Sequence, residues 1–217
     1  MNLEQARFNM IEQQIRTWEV LDQRVLDVLS EVPRDAFVPA AYRAVAYADV
    51  ELPLGEGELM MAPKLEARMI QSLRLTPTDR VLEVGTGSGF VTALLARLAG
   101  EVVSVERIEA LSQQASVRLS AHGVQNVTLR VGDASRGWPA EGPYDAIAVT
   151  GSVPALGEDF QRQIKVGGRL FVVVGEAPAM EALLITRVAE RDWSQESLFE
   201  TVVAPLRGLP PRDRFVF

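Results

Sequence analysis

The segment RVLEVGTGSGF, Arg80 to Phe90, carries three structural signals in one short run. Val81, Leu82 and Val84 make an apolar, β-branched stretch, and Gly85, Gly87 and Gly89 end it abruptly. An apolar helical pattern then starts at once with Phe90, Val91, Leu94 and Leu95. Strand, tight turn and helix N-terminus follow in that order. Glycine at alternate positions lets the backbone take positive φ and lets a ligand approach with no Cβ in the way. The turn is therefore a candidate ligand seat, set against the plainer reading of a glycine turn that holds nothing.

Spacing separates the ligand classes that use such a loop. A dinucleotide fingerprint of the G-x-G-x-x-G kind needs its third glycine at position 90, which is Phe90. What stands instead is E-x-G-x-G-x-G from Glu83 to Gly89, which resembles the first motif of S-adenosylmethionine (SAM) dependent methyltransferases. Glu83 also argues against a pyrophosphate, because a carboxylate repels phosphates, whereas SAM is a sulfonium cation with an ammonium group. No Gly-Lys-Ser/Thr follows, so a Walker loop is excluded.

Composition removes other classes of function. At 217 residues the chain is long enough for one α/β domain with additions and does not require a second. A net charge of −7 with no Lys/Arg cluster argues against a nucleic-acid partner. No apolar run approaches membrane-spanning length, and the N-terminus MNLEQARFNMIEQQIR has no apolar signal core, so the cytoplasm is expected and a membrane partner is not. There is no Cys, which removes thiolate catalysis and disulfides. The single His, His122, precedes Gly123 and reads as an exposed helix C-terminus, so metal sites and Ser-His triads are poor candidates.

Along the chain, Leu3, Met10, Ile11 and Ile15 have helical spacing, and Asp22 can cap a second helix whose face is Val25, Leu26 and Leu29, closed by Pro33. The stretch from Phe37 to Lys64 is too broken by Pro and Gly for a regular element until Pro63, which opens a third helix with Leu65, Met69 and Leu73. Residues 1–79 thus read as a helical and loop extension ahead of an 80–217 core, in one domain of 1–217. Within the core the pattern predicts strands at 81–84, 102–106, 127–132, 144–150 and 169–174, with helices at 90–99, 109–121 and 155–164. The strands VVSV, AIAVT and LFVVV are continuous apolar runs, as in a sheet covered on both faces. This is an α/β fold with a doubly wound, mostly parallel sheet, and the stretches near 182–188 and 197–203 read as an antiparallel pair at its edge.

Ligands of open α/β sheets lie at the carboxyl ends of the strands. The second core strand ends in Glu106, 21 positions after Gly85, where a carboxylate can accept both ribose hydroxyls; a solvated acid favoured by a helix dipole is the alternative. The third ends in Gly132-Asp133-Ala134, where Asp133 can accept from an adenine amino group or simply make an Asp turn. The fourth ends in Thr150-Gly151-Ser152, whose hydroxyls can position substrate or make a polar turn.

Beyond these motifs, MIEQQIR, VLDVLSEVPRDAFVP, AYADVELPLGEGE, RVLEVGTGSGF, VSVERI, RVGDASRGWP, YDAIAVTGSVP and QIKVGGRLFVVVGE resemble, in order, the protein-L-isoaspartate O-methyltransferases. The resemblance covers nearly the whole chain. It implies a Rossmann-like class I methyltransferase fold and SAM as cofactor. The implied cofactor site comprises Glu83, Gly85, Gly87, Glu106 and Asp133, with the adjoining Thr86, Ser88, Gly89, Arg107 and Ala134. It also implies a cytoplasmic repair enzyme that methylates the α-carboxylate of isoaspartyl residues in a peptide held extended.

The departures are specific. The family carries Thr-Ile-Ser-Gln-Pro before the third helix, its Ser beside the transferred methyl group; this chain has Leu59-Met60-Met61-Ala62-Pro63, with Met61 at the Ser position. Glu58 stands where the family has Gln, and Arg207 where it has a small polar residue near SAM. A carboxylate with a normal pKa near 4 is ionised at pH 7, so its methylation needs no general base, and orientation alone is worth roughly 7–11 kcal/mol. Losing one hydroxyl donor costs roughly 3–4 kcal/mol by analogy with oxyanion donors. The candidate catalytic positions are thus Met61, Thr150 and Ser152. The alternatives are a methyltransferase of the same fold with another, more apolar acceptor, or a SAM-binding module without turnover.

Overall fold

The computed structural model describes residues 2–209; Met1 and 210–217, the ends of the expected domain, lie outside the described residues. Helix α1 (Leu3–Asn9) starts at Asn2, whose side chain accepts from the N–H groups of Glu4 and Gln5. It runs on through a π-helical turn, Met10–Ile15, and a 3-10 turn, Arg16–Trp18. Helix α2 (Gln23–Glu31) is capped by Asp22, which accepts from Arg24 N–H. Strands β1 (Leu52–Gly55) and β2 (Glu58–Met60) form an antiparallel hairpin. Helix α3 (Pro63–Leu73) has Pro63 in its first turn, where the missing N–H costs nothing.

The core follows as β3 (Arg80–Val84), α4 (Phe90–Leu98), β4 (Glu101–Glu106), α5 (Glu109–Ala121), β5 (Val127–Val131), β6 (Tyr144–Val153), a short α6 (Glu158–Gln161), β7 (Ile164–Glu176), β8 (Ala179–Ala189) and β9 (Asp192–Thr201). Among the described residues the main sheet has the order β5-β4-β3-β6-β7-β8-β9. Its first five strands are parallel, and β8 and β9 pair antiparallel at one side. The chain leaves β3 through β4 and β5 and returns to its other flank through β6. The crevice at the carboxyl ends of β3 and β6 is therefore the switch point at which such sheets take ligands.

Alternation along the buried strands builds two cores. Val81, Val102, Ala146 and Phe171 pack on one face with Met10, Ile15, Phe37, Leu65 and Leu94, so the N-terminal extension shares a core with the sheet. Leu82, Val103, Ile147 and Leu170 pack on the other face with Tyr144 and Phe160.

Four expectations change. The region before Pro63 is not irregular throughout, because 3-10 turns at Arg34–Ala36 and Ala40–Val45 and the β1–β2 hairpin occupy it. Strand β6 continues through Gly151 and Ser152 to Val153, where Ser152 and Val153 pair with Val173 and Val174 of β7 after a shift in register; the tail bridges its other side, Ser152 N–H donating to Ala204 O and Leu206 N–H to Ser152 O, both at 2.9 Å. The helix expected over 155–164 shrinks to Glu158–Gln161, since Ile164 already belongs to β7. His122 is half-buried rather than exposed, its ring 4.9 Å from that of Phe37 and its Nδ1 2.8 Å from Arg118 O.

Candidate active site

The glycine turn is built as its sequence demands. Gly85 sits at φ 93°, and a Cβ there would fall on Thr150 Oγ1, so this position needs glycine twice over. Gly85 N–H donates to Val105 O at 2.9 Å, tying the turn to the neighbouring strand. Thr150 Oγ1 lies 2.8 Å from both Val84 O and Gly85 O, which ties it to β6 as well. Over this turn lies an open cleft walled by the turn itself, the β1–β2 hairpin and residues 203–207.

Glu106, at the end of β4, is 6% exposed and lines the cleft. Its Oε2 accepts from Gly87 N–H and its Oε1 from Ile108 N–H, both at 2.9 Å. Two backbone donors fix the carboxylate, and each oxygen keeps a lone pair for a ligand hydroxyl. Asp133 accepts from Ser135 N–H and from Arg107 Nη1, both at 2.9 Å. The hydrogen bonds from Ser135, with Arg107 beside them, hold its carboxyl below the usual range. Gly87, Arg107, Ala134, Thr150 and Met61 line the same cleft. No group of His, Cys, Asp and Glu able to hold a metal ion occurs among the described residues.

Glu83 is placed differently from its expected role. It is fully buried and is not part of the cleft lining. Its Oε2 accepts from Thr92 Oγ1 and Ser104 Oγ, each at 2.5 Å, so the side chain points under α4. Burial pushes its pKa up to about 8 against those two hydrogen bonds. Alternation along β3 aims it away from the cleft and at the core, where it fastens strand to helix. Gly89, also expected to touch cofactor, packs on Ala115 at the start of α4 instead. Thr86 and Ser88 turn inward, Thr86 Oγ1 to Ser104 Oγ at 2.5 Å and Ser88 Oγ accepting from Phe90 N–H at 3.1 Å, and border a smaller recess behind the loop.

Ser152, expected to present a hydroxyl to substrate, is 1% exposed and donates to Val203 O at 3.0 Å. Docking of the tail consumes its hydrogen bond. Met61 is 6% exposed, with Leu54 and Leu59 of the hairpin beside it in the cleft lining.

Sequence reasoning missed the support behind Met61. Arg34 is fully buried, donates from Nε to Ala46 O at 2.8 Å and from Nη2 to Met61 O at 2.7 Å, and pairs through Nη1 with Glu66, itself 1% exposed. Glu66 is pushed up to about 7 by burial, which its attraction to Arg34 only partly offsets. Position 66 follows the apolar Leu65 stripe of α3, a weak hint that it faces inward, whereas nothing marks Arg34 from other arginines.

The model of the protein-L-isoaspartate(D-aspartate) O-methyltransferase family matches residues 5–209. The chain belongs to this family. A protein-L-isoaspartate O-methyltransferase 1 of Rhodopseudomonas palustris strain HaA2 is 43% identical over 203 residues, covering 93% of this chain and 83% of that protein. Protein-L-isoaspartate O-methyltransferase 2 of Pelobacter propionicus is 41% identical over 208 residues, covering 95% and 92%. A solved protein-L-isoaspartate O-methyltransferase superposes with a TM-score of 0.81 at 27% identity, over 93% of this chain and 66% of that one. As a protein-L-isoaspartate O-methyltransferase family member, the chain is a SAM-dependent methyltransferase with the class I fold. The reaction that its family is named for is O-methylation of L-isoaspartyl residues. No helix among the described residues is long and apolar enough to cross a membrane.

Proposed function

We propose that SAM lies in the cleft over the β3–α4 turn and that the acceptor is the free carboxylate of an isoaspartyl residue, presented between the β1–β2 hairpin and the C-terminal tail. Glu106 accepts the ribose hydroxyls, Asp133 the adenine amino group, and the loop of Gly85 and Gly87 takes the amino-acid end. Family membership supports the acceptor; the carboxylate of Glu106, held by two backbone N–H groups in the cleft wall, supports the cofactor placement. Glu83 supports the loop from beneath.

When bound, SAM supplies an electrophilic methyl group. The protein's task is then to orient a nucleophile that is already ionised at pH 7, which asks no side chain to move a proton. Met61, Leu54 and Leu59 exclude water beside the loop, and Thr150 holds the loop carbonyls. Alignment of the reacting atoms is worth roughly 7–11 kcal/mol when well made, which is how a chain with one His and no Cys carries out catalysis. Residues 1–217 act as one domain, in the cytoplasm, with the extension supplying the acceptor side of the cleft.

Titration calorimetry tests the cofactor placement. Wild type should bind SAM, and Glu106→Ala should weaken it by about tenfold or more, the scale of hydrogen bonds to a charged group. Equal affinity in the two proteins would move the ribose elsewhere.

A further inference from the structure

The Glu58–Arg207 ion pair joins two segments far apart in sequence on opposite sides of the cleft mouth. Arg207 Nε pairs with Glu58, and its Nη2 donates to Glu56 O across the hairpin turn; the two side chains are 49% and 26% exposed. The tail does not need this pair to stay in place. Ser152 N–H donates to Ala204 O, Leu206 N–H to Ser152 O and Ser152 Oγ to Val203 O, so residues 203–206 are bonded to β6 just before Arg207. Leu206 also packs on Gly151, where a Cβ would come within 2.8 Å of it. The guanidinium is carried on a rigid seat, and its ion pair, partly exposed to water, is of a weak and readily exchanged kind.

The charge around the cleft gives that guanidinium a use. The lining carries the acids Glu51, Glu58, Glu106 and Asp133, against the cations Arg107 and Arg207. Arg107 Nη1 is committed to Asp133 and to the Arg207 carbonyl, at 2.9 and 3.1 Å. The hairpin offers apolar Leu54, Leu59 and Met61, and the Thr150 hydroxyl is taken by the Val84 and Gly85 carbonyls. A carboxylate entering this cleft therefore meets four acids and one cation whose partner is readily exchanged.

We propose that Arg207 recognises the acceptor's carboxylate, exchanging Glu58 for it, so that these two residues together set acceptor specificity. The inference rests on the acceptor entering between hairpin and tail, as argued above. The planar guanidinium fork suits a carboxylate, one of whose oxygens stays available to attack the methyl group. Glu58 acts as the resident competitor.

The two residues therefore have opposite predicted signs. Turnover of an isoaspartyl peptide is measured for wild type, Arg207→Gln and Glu58→Gln. Binding of the same peptide and of its α-carboxamide twin is measured in the presence of S-adenosylhomocysteine. Arg207→Gln should raise KM and Kd for the carboxylate peptide about tenfold or more, erase its preference over the carboxamide, change kcat less than KM and leave SAM affinity unchanged. Glu58→Gln should lower KM. Shifts in the same direction for both variants would make the pair a fastening and overturn the proposal, as would an Arg207→Gln protein that still prefers the carboxylate. Wild type that binds SAM yet methylates no isoaspartyl peptide would overturn the acceptor reading together with this one, whereas methylation with unaltered discrimination overturns this one alone.

Discussion

The two sides of the cleft are built on different physical principles. On the cofactor side, polar groups stand at the surface of the turn: Glu106 is fixed by two backbone N–H groups, Asp133 by Ser135 and Arg107, and Gly85 leaves room where a side chain would strike Thr150. On the acceptor side the wall beside the turn is apolar, Met61 with Leu54 and Leu59; the Glu58–Arg207 pair stands at its mouth, and the buried Arg34–Glu66 pair behind it grips the Met61 carbonyl. One side has its polar groups preset by hydrogen bonds at the surface; the other holds its shape through a buried charge pair. A cofactor of fixed structure suits the first arrangement, and a shaped slot for an extended peptide suits the second.

The largest effect expected from this contrast comes from breaking the charge pair. Arg34→Met leaves Glu66 without its cation in the core and frees the Met61 and Ala46 carbonyls, so chemical denaturation should report a loss of about 3–5 kcal/mol. Adding Glu66→Leu should recover a large part of it, because replacing both partners by apolar groups is far less costly than removing one. Full stability in Arg34→Met alone would show that the pair carries little of the acceptor side.

A smaller effect concerns Glu83 beneath the cofactor side. Its folded pKa, about 8, lies above the ordinary carboxylate value of 4.5. A carboxyl raised in this way adds stability that is complete below about pH 4.5 and is lost as pH rises through 8. Unfolding free energy should therefore fall between pH 5 and pH 8.5. Glu83→Gln should flatten that fall, leaving the smaller part due to Glu66, raised to about 7. An unchanged slope in Glu83→Gln would mean that the acid is ionised in the folded protein.

The smallest effect belongs to Met61. Met61→Leu conserves volume and apolarity, so stability should change by less than about 1.5 kcal/mol and methyl transfer should persist at similar kcat/KM. A large loss of turnover would give the thioether a role that an apolar wall does not have.

The same contrast governs what was readable in the sequence. The parallel strands were legible because burial on both faces leaves unbroken apolar runs, and the turn because alternate glycines follow a strand and precede a helix. The places of Glu106 and Asp133, at the end of β4 and just past the end of β5, were legible because each closes an apolar run. The hairpin was hidden by Pro53, although apolar residues flanking a Gly-Glu-Gly turn were a fair signal for it. The extension of β6 past Thr150 pairs with β7 only after a shift in register, and the Arg34–Glu66 pair joins two ordinary charged residues 32 positions apart. Neither leaves a local trace. Glu83 misled because its motif fixes where it lies in sequence and not which face of β3 it leaves from.

The central claim is methyl transfer to an isoaspartyl carboxylate by a cleft whose acceptor wall is apolar. It is tested most directly by incubating the protein with SAM labelled in its methyl group and an isoaspartyl peptide, beside the aspartyl peptide of the same sequence. The account predicts base-labile label in the isoaspartyl peptide and none above background in its twin. Equal label in both peptides, or none in either while SAM still binds, would contradict it.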